Sequence, residues 1–142
     1  MTAEEDRQLL VRVILRFAAA QLEKGGLPPF GAVLGPDSDV QLLMPESFKQ
    51  NVTRDEFEEY WFRELRKFAT ADGCKAVCFC ADVGFPREKE QITRGLLVHV
   101  EHREGGAEDI GYPYWRDDDS RIVFGEPTCV TSQRRAFSPA AN

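Results

Sequence analysis

The residues best suited to chemistry in this chain are His99, Glu101, His102 and Asp109, with four cysteines at positions 74, 78, 80 and 129. One histidine with two carboxylates has the donor types of a divalent-metal site, or of a small enzymatic site. His99-Val-Glu-His102 is not the zinc pattern H-E-x-x-H, which needs a helix and a different spacing. On a strand, His99 and His102 are three apart and point to opposite faces. The run Cys74-x-x-x-Cys78-x-Cys80 differs from a zinc knuckle, whose paired cysteines sit in a turn. Cys78 and Cys80 share one face of an apolar strand, where a free cysteine packs as a small hydrophobe. A cysteine nucleophile would need a histidine or a cation beside it. Here that would require His99 on a strand next to Cys78 and Cys80, and on their face. Gly105-Gly106 is turn chemistry, and the chain has no dinucleotide fingerprint, P-loop or nucleophile elbow.

The elements that must position these residues begin with a hairpin over residues 96–115. A three-residue loop, Glu104-Gly105-Gly106, pairs Arg103 with Ala107, Glu101 with Asp109 and His99 with Gly111. Leu96, Val98, Val100, Ile110, Tyr112 and Tyr114 then share the apolar face, because strand side chains alternate. A two-residue loop would slip the register and waste the aromatics. The polar face carries His99, Glu101, Arg103, Asp109 and Trp115, and these five form the candidate binding site. Directly opposed like charges destabilise a strand pair, so Glu101 and Asp109 call for a cation. Arg103 on the same face is the plain candidate; a bound ion or a partner's Lys or Arg are the others. No residue is assigned a catalytic or metal-binding role, and no cofactor is expected. An exposed Trp115 beside acidic groups suits a contact surface.

With 142 residues the chain has the size of one domain, expected over residues 1–131 with a disordered tail at 132–142. Ten Phe, three Tyr and two Trp are enough for a core without disulfides or metal. The 24 acidic against 18 basic residues give a net charge of −6. That balance disfavours nucleic acid and suits a basic protein partner. No apolar run is long enough to span a membrane, and the acidic start MTAEEDRQ is not a signal peptide. A cytoplasmic protein with reduced cysteines is therefore expected.

Thr2 and Glu5 form a capping box for a helix running to Glu23, and Gly25, Gly26 and Pro28 stop it. Strands at 30–34 and 40–44 flank the turn Gly35-Pro-Asp-Ser-Asp39. A second capping box, Thr53 to Glu56, opens a helix over 54–71. Residues 75–83 are apolar on both parities, as in a strand buried on both sides. A charged loop is expected at 84–93, a last strand at 121–124 and a short extension at 128–131. The order α-β-β-α-β-β-β predicts an α+β fold. It would have two helices on a sheet of about five strands, mixed or mainly antiparallel, with 75–83 at the centre.

Leu27-Pro-Pro-Phe-Gly-Ala-Val-Leu34 followed by Gly35-Pro-Asp37 resembles the first hairpin of the nucleoside and nucleobase deaminases. That family's H-x-E or C-x-E and P-C-x-x-C motifs are missing, so neither zinc nor deamination is carried over. A broader set of positions resembles a class of small bacterial α+β proteins of uncharacterised function. They are Lys75-Ala-Val77, Asp82-Val83, Val98, Glu101-His102, Gly105, Pro113-Tyr114 and Phe124-Gly-Glu-Pro127. This resemblance implies the fold and a bacterial cytoplasmic setting, and some small acidic proteins of this build are immunity proteins. The expected function is a non-enzymatic protein-binding module, such as an immunity or accessory protein, that meets a basic partner with an acidic sheet face. The alternatives are a metal-dependent or small-molecule enzyme at His99, Glu101 and Asp109, and a homo-oligomer joined through a sheet edge.

Overall fold

The computed structural model describes residues 2–44, 54–71, 73–86 and 92–137. Two helices, α1 (Ala3–Glu23) and α2 (Arg54–Ala69), accompany seven strands. These are β1 (Phe30–Leu34), β2 (Val40–Leu43), β3 (Ala76–Pro86), β4 (Ile92–His102), β5 (Ala107–Arg116), β6 (Ile122–Phe124) and β7 (Thr128–Ser132). The strands form one sheet in the order β2-β1-β3-β4-β5-β6, with β7 also on β5. Every pairing is antiparallel.

The α+β class and the central place of β3, between the first hairpin and the C-terminal strands, match the sequence expectation. The sheet is larger than the roughly five strands expected, in strand length as well as in strand number. The segment 84–93, expected as a charged loop, is largely strand: β3 and β4 stay paired out to Pro86 and Ile92. The charges of this segment are confined to residues 87–91, which lie outside the described residues. The C-terminal extension is a strand in its own right. Trp115 faces Val123 but Asp109 faces Val130, so β6 and β7 run in line along β5 with one extra residue between them. The break falls at Gly125-Glu126-Pro127, where proline has no N–H to give the ladder. Thr53, the expected cap of α2, lies outside the described residues.

The helices cover opposite faces. Thr2 and Glu5 do close the capping box that starts α1. Leu10, Ile14, Ala18 and Leu22, four apart, pack on Phe30, Ala32, Cys78, Cys80, Val98 and Val100. Full burial of each larger side chain in this stripe stabilises by about 1.5–3 kcal/mol. On the other face Trp61, Phe62, Leu65 and Ala69 of α2 meet Val33, Val77 and Phe79. Thus β3 sends alternate side chains into two cores, which is why both of its parities are apolar. Gly31 permits the close approach of α2: a Cβ there would lie 3.2 Å from both Leu65 and Trp61. Neither helix is long and apolar enough to cross a membrane.

Candidate functional site

The β4–β5 hairpin places the candidate site, and its register differs from the expected one by two residues. His99 lies across from Asp109, and Glu101 across from Ala107. Residues 102–106 form a longer turn, held by hydrogen bonds from His102 N–H to Gly106 O and from Gly105 N–H to His102 O. A shift of two preserves parity. His99, Glu101 and Asp109 therefore keep their common face, while Leu96, Val98, Val100 and Ile110 keep the α1 side. The directly opposed carboxylates expected from sequence do not occur, because His99 stands between them.

The longer turn is held from outside the hairpin. His102 Nδ1 accepts the Glu104 N–H at 2.9 Å, which leaves the ring proton on Nε2, 2.9 Å from Asp6 Oδ2 on α1. Arg103 donates to the carbonyls of Ala69, Ala71 and Cys74, closing the C-terminal end of α2. It does not neutralise Glu101 or Asp109 as expected, since its guanidinium is spent on these three carbonyls. Arg134 donates to the carbonyls of His102, Arg103 and Gly105.

The imidazole of His99 bridges two carboxylates. Nδ1 lies 2.6 Å from Asp109 Oδ1 and Nε2 lies 2.7 Å from Glu101 Oε2. The ring meets Phe62 of α2 edge-on, with 5.1 Å between centroids. Glu101 is fully buried. It accepts three consecutive backbone amides: Arg135 at 2.8 Å, Ala136 at 3.0 Å and Phe137 at 3.1 Å. The segment 133–137 thus straps the end of the sheet, although it was expected within the tail. Ala136 and Phe137 are buried in the α2-side core, and the Arg135 guanidinium stacks 3.7 Å above Phe62.

Burial pushes His99 toward the neutral form, but hydrogen bonds to Asp109 and Glu101 outweigh it and raise its pKa. Burial likewise pushes the Glu101 carboxyl up, and the bonds from His99 and the three amides reverse that and leave it below its ordinary value. Asp109 is lowered chiefly by its hydrogen bond from His99, against some burial. The two short contacts and these shifts all favour an imidazolium between two carboxylates.

Of the five expected site residues, the structure brings His99, Glu101 and Asp109 together. Arg103 serves α2, and Trp115 lies six residues along β5 from Asp109, roughly 20 Å away. Trp115 is half exposed and leans on Gly125. His102 does take the opposite face, as its spacing predicts. Cys78 and Cys80 face α1, away from His99, so no cysteine–histidine pair forms there; burial pushes both thiols up. Sequence reasoning missed Asp6, Phe62 and the strap. Asp6 had a readable signal, since it sits four residues before Leu10 on the apolar stripe of α1. The strap's Phe137, an isolated aromatic in a polar stretch, was a weaker one.

Both ring nitrogens of His99 are engaged by carboxylates. Glu101 is saturated by its four donors. Among the described residues, no group of three or more His, Cys, Asp or Glu side chains is arranged to hold a metal ion. No protein-family model, curated protein or solved structure matches the chain.

Proposed function

We propose that the chain is a non-enzymatic protein-binding module that takes an extended, basic segment of a partner along the outer edge of β7. The observation that carries this reading is the state of that edge. β7 is the end of the sheet beyond β5, and among the described residues nothing pairs with its outer side. Its sequence Thr-Cys-Val-Thr-Ser is uncharged, four of its five residues are exposed, and Val130 is 55% exposed. An unpaired edge without charge or proline is a template for strand addition.

Charge supports a basic occupant. Asp109 flanks Val130 on one face of the sheet and Glu108 flanks Thr131 on the other. Their side chains are 36% and 33% exposed, and the whole chain carries −6. A partner strand alternating basic residues would meet a carboxylate on either side. The acidic face expected from sequence is thereby narrowed, since Glu101 is buried and Trp115 is remote. An immunity or accessory role is the form this proposal takes by analogy with small acidic immunity proteins.

The test compares partner capture from a native lysate by wild type and by Val130→Lys, which places a like charge on the edge without touching the core. The expected result is loss of the captured protein with Val130→Lys, and slowed amide exchange in β7 in the purified wild-type complex. Equal capture by the variant, or a complex whose β7 amides exchange as in the free protein, refutes the docking edge.

A further inference from the structure

The carboxylate that would receive the partner's cation is the one His99 already holds. An imidazole has two N–H bonds only when protonated, and here both are committed, to Asp109 at 2.6 Å and to Glu101 at 2.7 Å. A neutral ring keeps one N–H and turns a bare lone pair on the other carboxylate. At such distances two lone pairs repel, so one carboxylate must leave.

The two are not equally free. Glu101 has no exposure, and moving it would strand the amide of Arg135 and the buried amides of Ala136 and Phe137. Asp109 is 36% exposed at the flank of the sheet. Its remaining support is a hydrogen bond from Ser132 of β7 and the positive field of Arg135. Turning it outward leaves only that support and regains water. Among the described residues, the other elements packed on His99 supply no replacement: α2 offers the Phe62 ring, and β3 places Phe79 across the ladder. The nearby Arg135 is committed to Glu58 of α2 and to stacking on Phe62.

We propose that Asp109 is the moving part of a one-proton switch on the β7 flank. With His99 protonated, the carboxylate is turned in and its charge is taken up by the ring. With His99 neutral, the ring keeps its proton on Nε2 for Glu101, and Asp109 turns out beside Val130, free for a cationic side chain. Binding of a basic segment then tightens as the ring loses its proton. That consequence rests on the docking proposal above, while the switch itself is measured on the protein alone.

The experiment is a pH titration of the isotope-labelled full chain by NMR, from pH 5 to 9. The expected result is a His99 ring that passes from doubly protonated to the Nε2–H tautomer. The Asp109 carboxylate resonance should shift at the same midpoint, while the amides of 135–137 stay protected. A final Nδ1–H tautomer overturns the switch, as does deprotection of those amides at the His99 midpoint, or a ring that keeps one state throughout. Asp109→Asn supplies a second reading in a side chain of the same shape. Its amide can donate to a bare Nδ1, so the His99 midpoint should fall by about one pH unit or more, a tenfold change in proton affinity. An unchanged midpoint also overturns the proposal. Failure of the Val130→Lys test with these results intact would remove the docking edge and leave the switch standing.

Discussion

Glu101→Gln should be among the most damaging near-isosteric substitutions in this chain. The carboxylate accepts Ala136 and Phe137 N–H through Oε1, and His99, Arg135 and Ala136 through Oε2. A glutamine must put its NH2 on one of these two sides. On the Oε2 side it would confront both the imidazolium and the Arg135 amide, so it will take the Oε1 side. There it strands the Phe137 N–H, at about 1–3 kcal/mol for a buried donor left unmade. The bonds to His99 and Arg135 survive but lose their charge assistance, and the imidazolium loses one of its two carboxylates. Together this is about 3–5 kcal/mol, the usual scale for breaking a buried ion pair from one side. Such a loss is a large part of the roughly 5–15 kcal/mol that holds a domain folded. The assay is urea unfolding followed by tryptophan fluorescence, because Trp61 is buried against Phe79 in the α2 core. Thermal unfolding should show a midpoint lowered by roughly 10 °C. Glu104→Gln, at an exposed turn position, serves as control and should stay within about 0.5 kcal/mol of wild type. A Glu101→Gln loss below about 1 kcal/mol would refute the role assigned to this carboxylate.

Three further outcomes are expected. The raised pKa of His99 means that its contribution is complete below about pH 6.5 and is lost as pH rises through its folded value. The lowered values of Glu101 and Asp109 give contributions complete above about pH 4 and lost on acidification. The urea midpoint should therefore be higher at pH 5.5 than at 8.5, and His99→Gln should flatten that alkaline decline; a wild-type midpoint that rises with pH would contradict it. Asp6→Ala strands the Nε2–H of the buried His102 and should cost about 2–3 kcal/mol in the same unfolding assay. A neutral effect would show that the α1–turn contact does not hold the hairpin. Among the four cysteines, only Cys129 is exposed, and its thiol donates to Glu108, which raises its pKa. Iodoacetamide at pH 8 should thus modify Cys129 alone in the native protein, and faster in Glu108→Gln; labelling of Cys78 or Cys80 before unfolding would contradict the two-core packing.

Patterns of period two and period four carried most of what could be read from the sequence alone. The capping box and the four-residue stripe of α1, the two-sided burial of β3 and the shared face of His99, Glu101 and Asp109 all follow from local periodicity. Face assignment survived a wrong register because a slip of two residues leaves every side chain on its own side. Tertiary structure decided the slip itself. The turn at residues 102–106 is stabilised by Asp6, by the end of α2 and by Arg134, whose hydrogen bonds to it span 29 to 96 residues of chain. It also decided what answers the buried carboxylate. Backbone amides carry no side-chain signature, so nothing in the string Gln-Arg-Arg-Ala-Phe announces three N–H groups converging on Glu101. Local spacing thus assigned the acidic face of this protein, and only the folded chain, by returning its own backbone to that face, determined that Glu101 is satisfied from within while Asp109 stays at the surface.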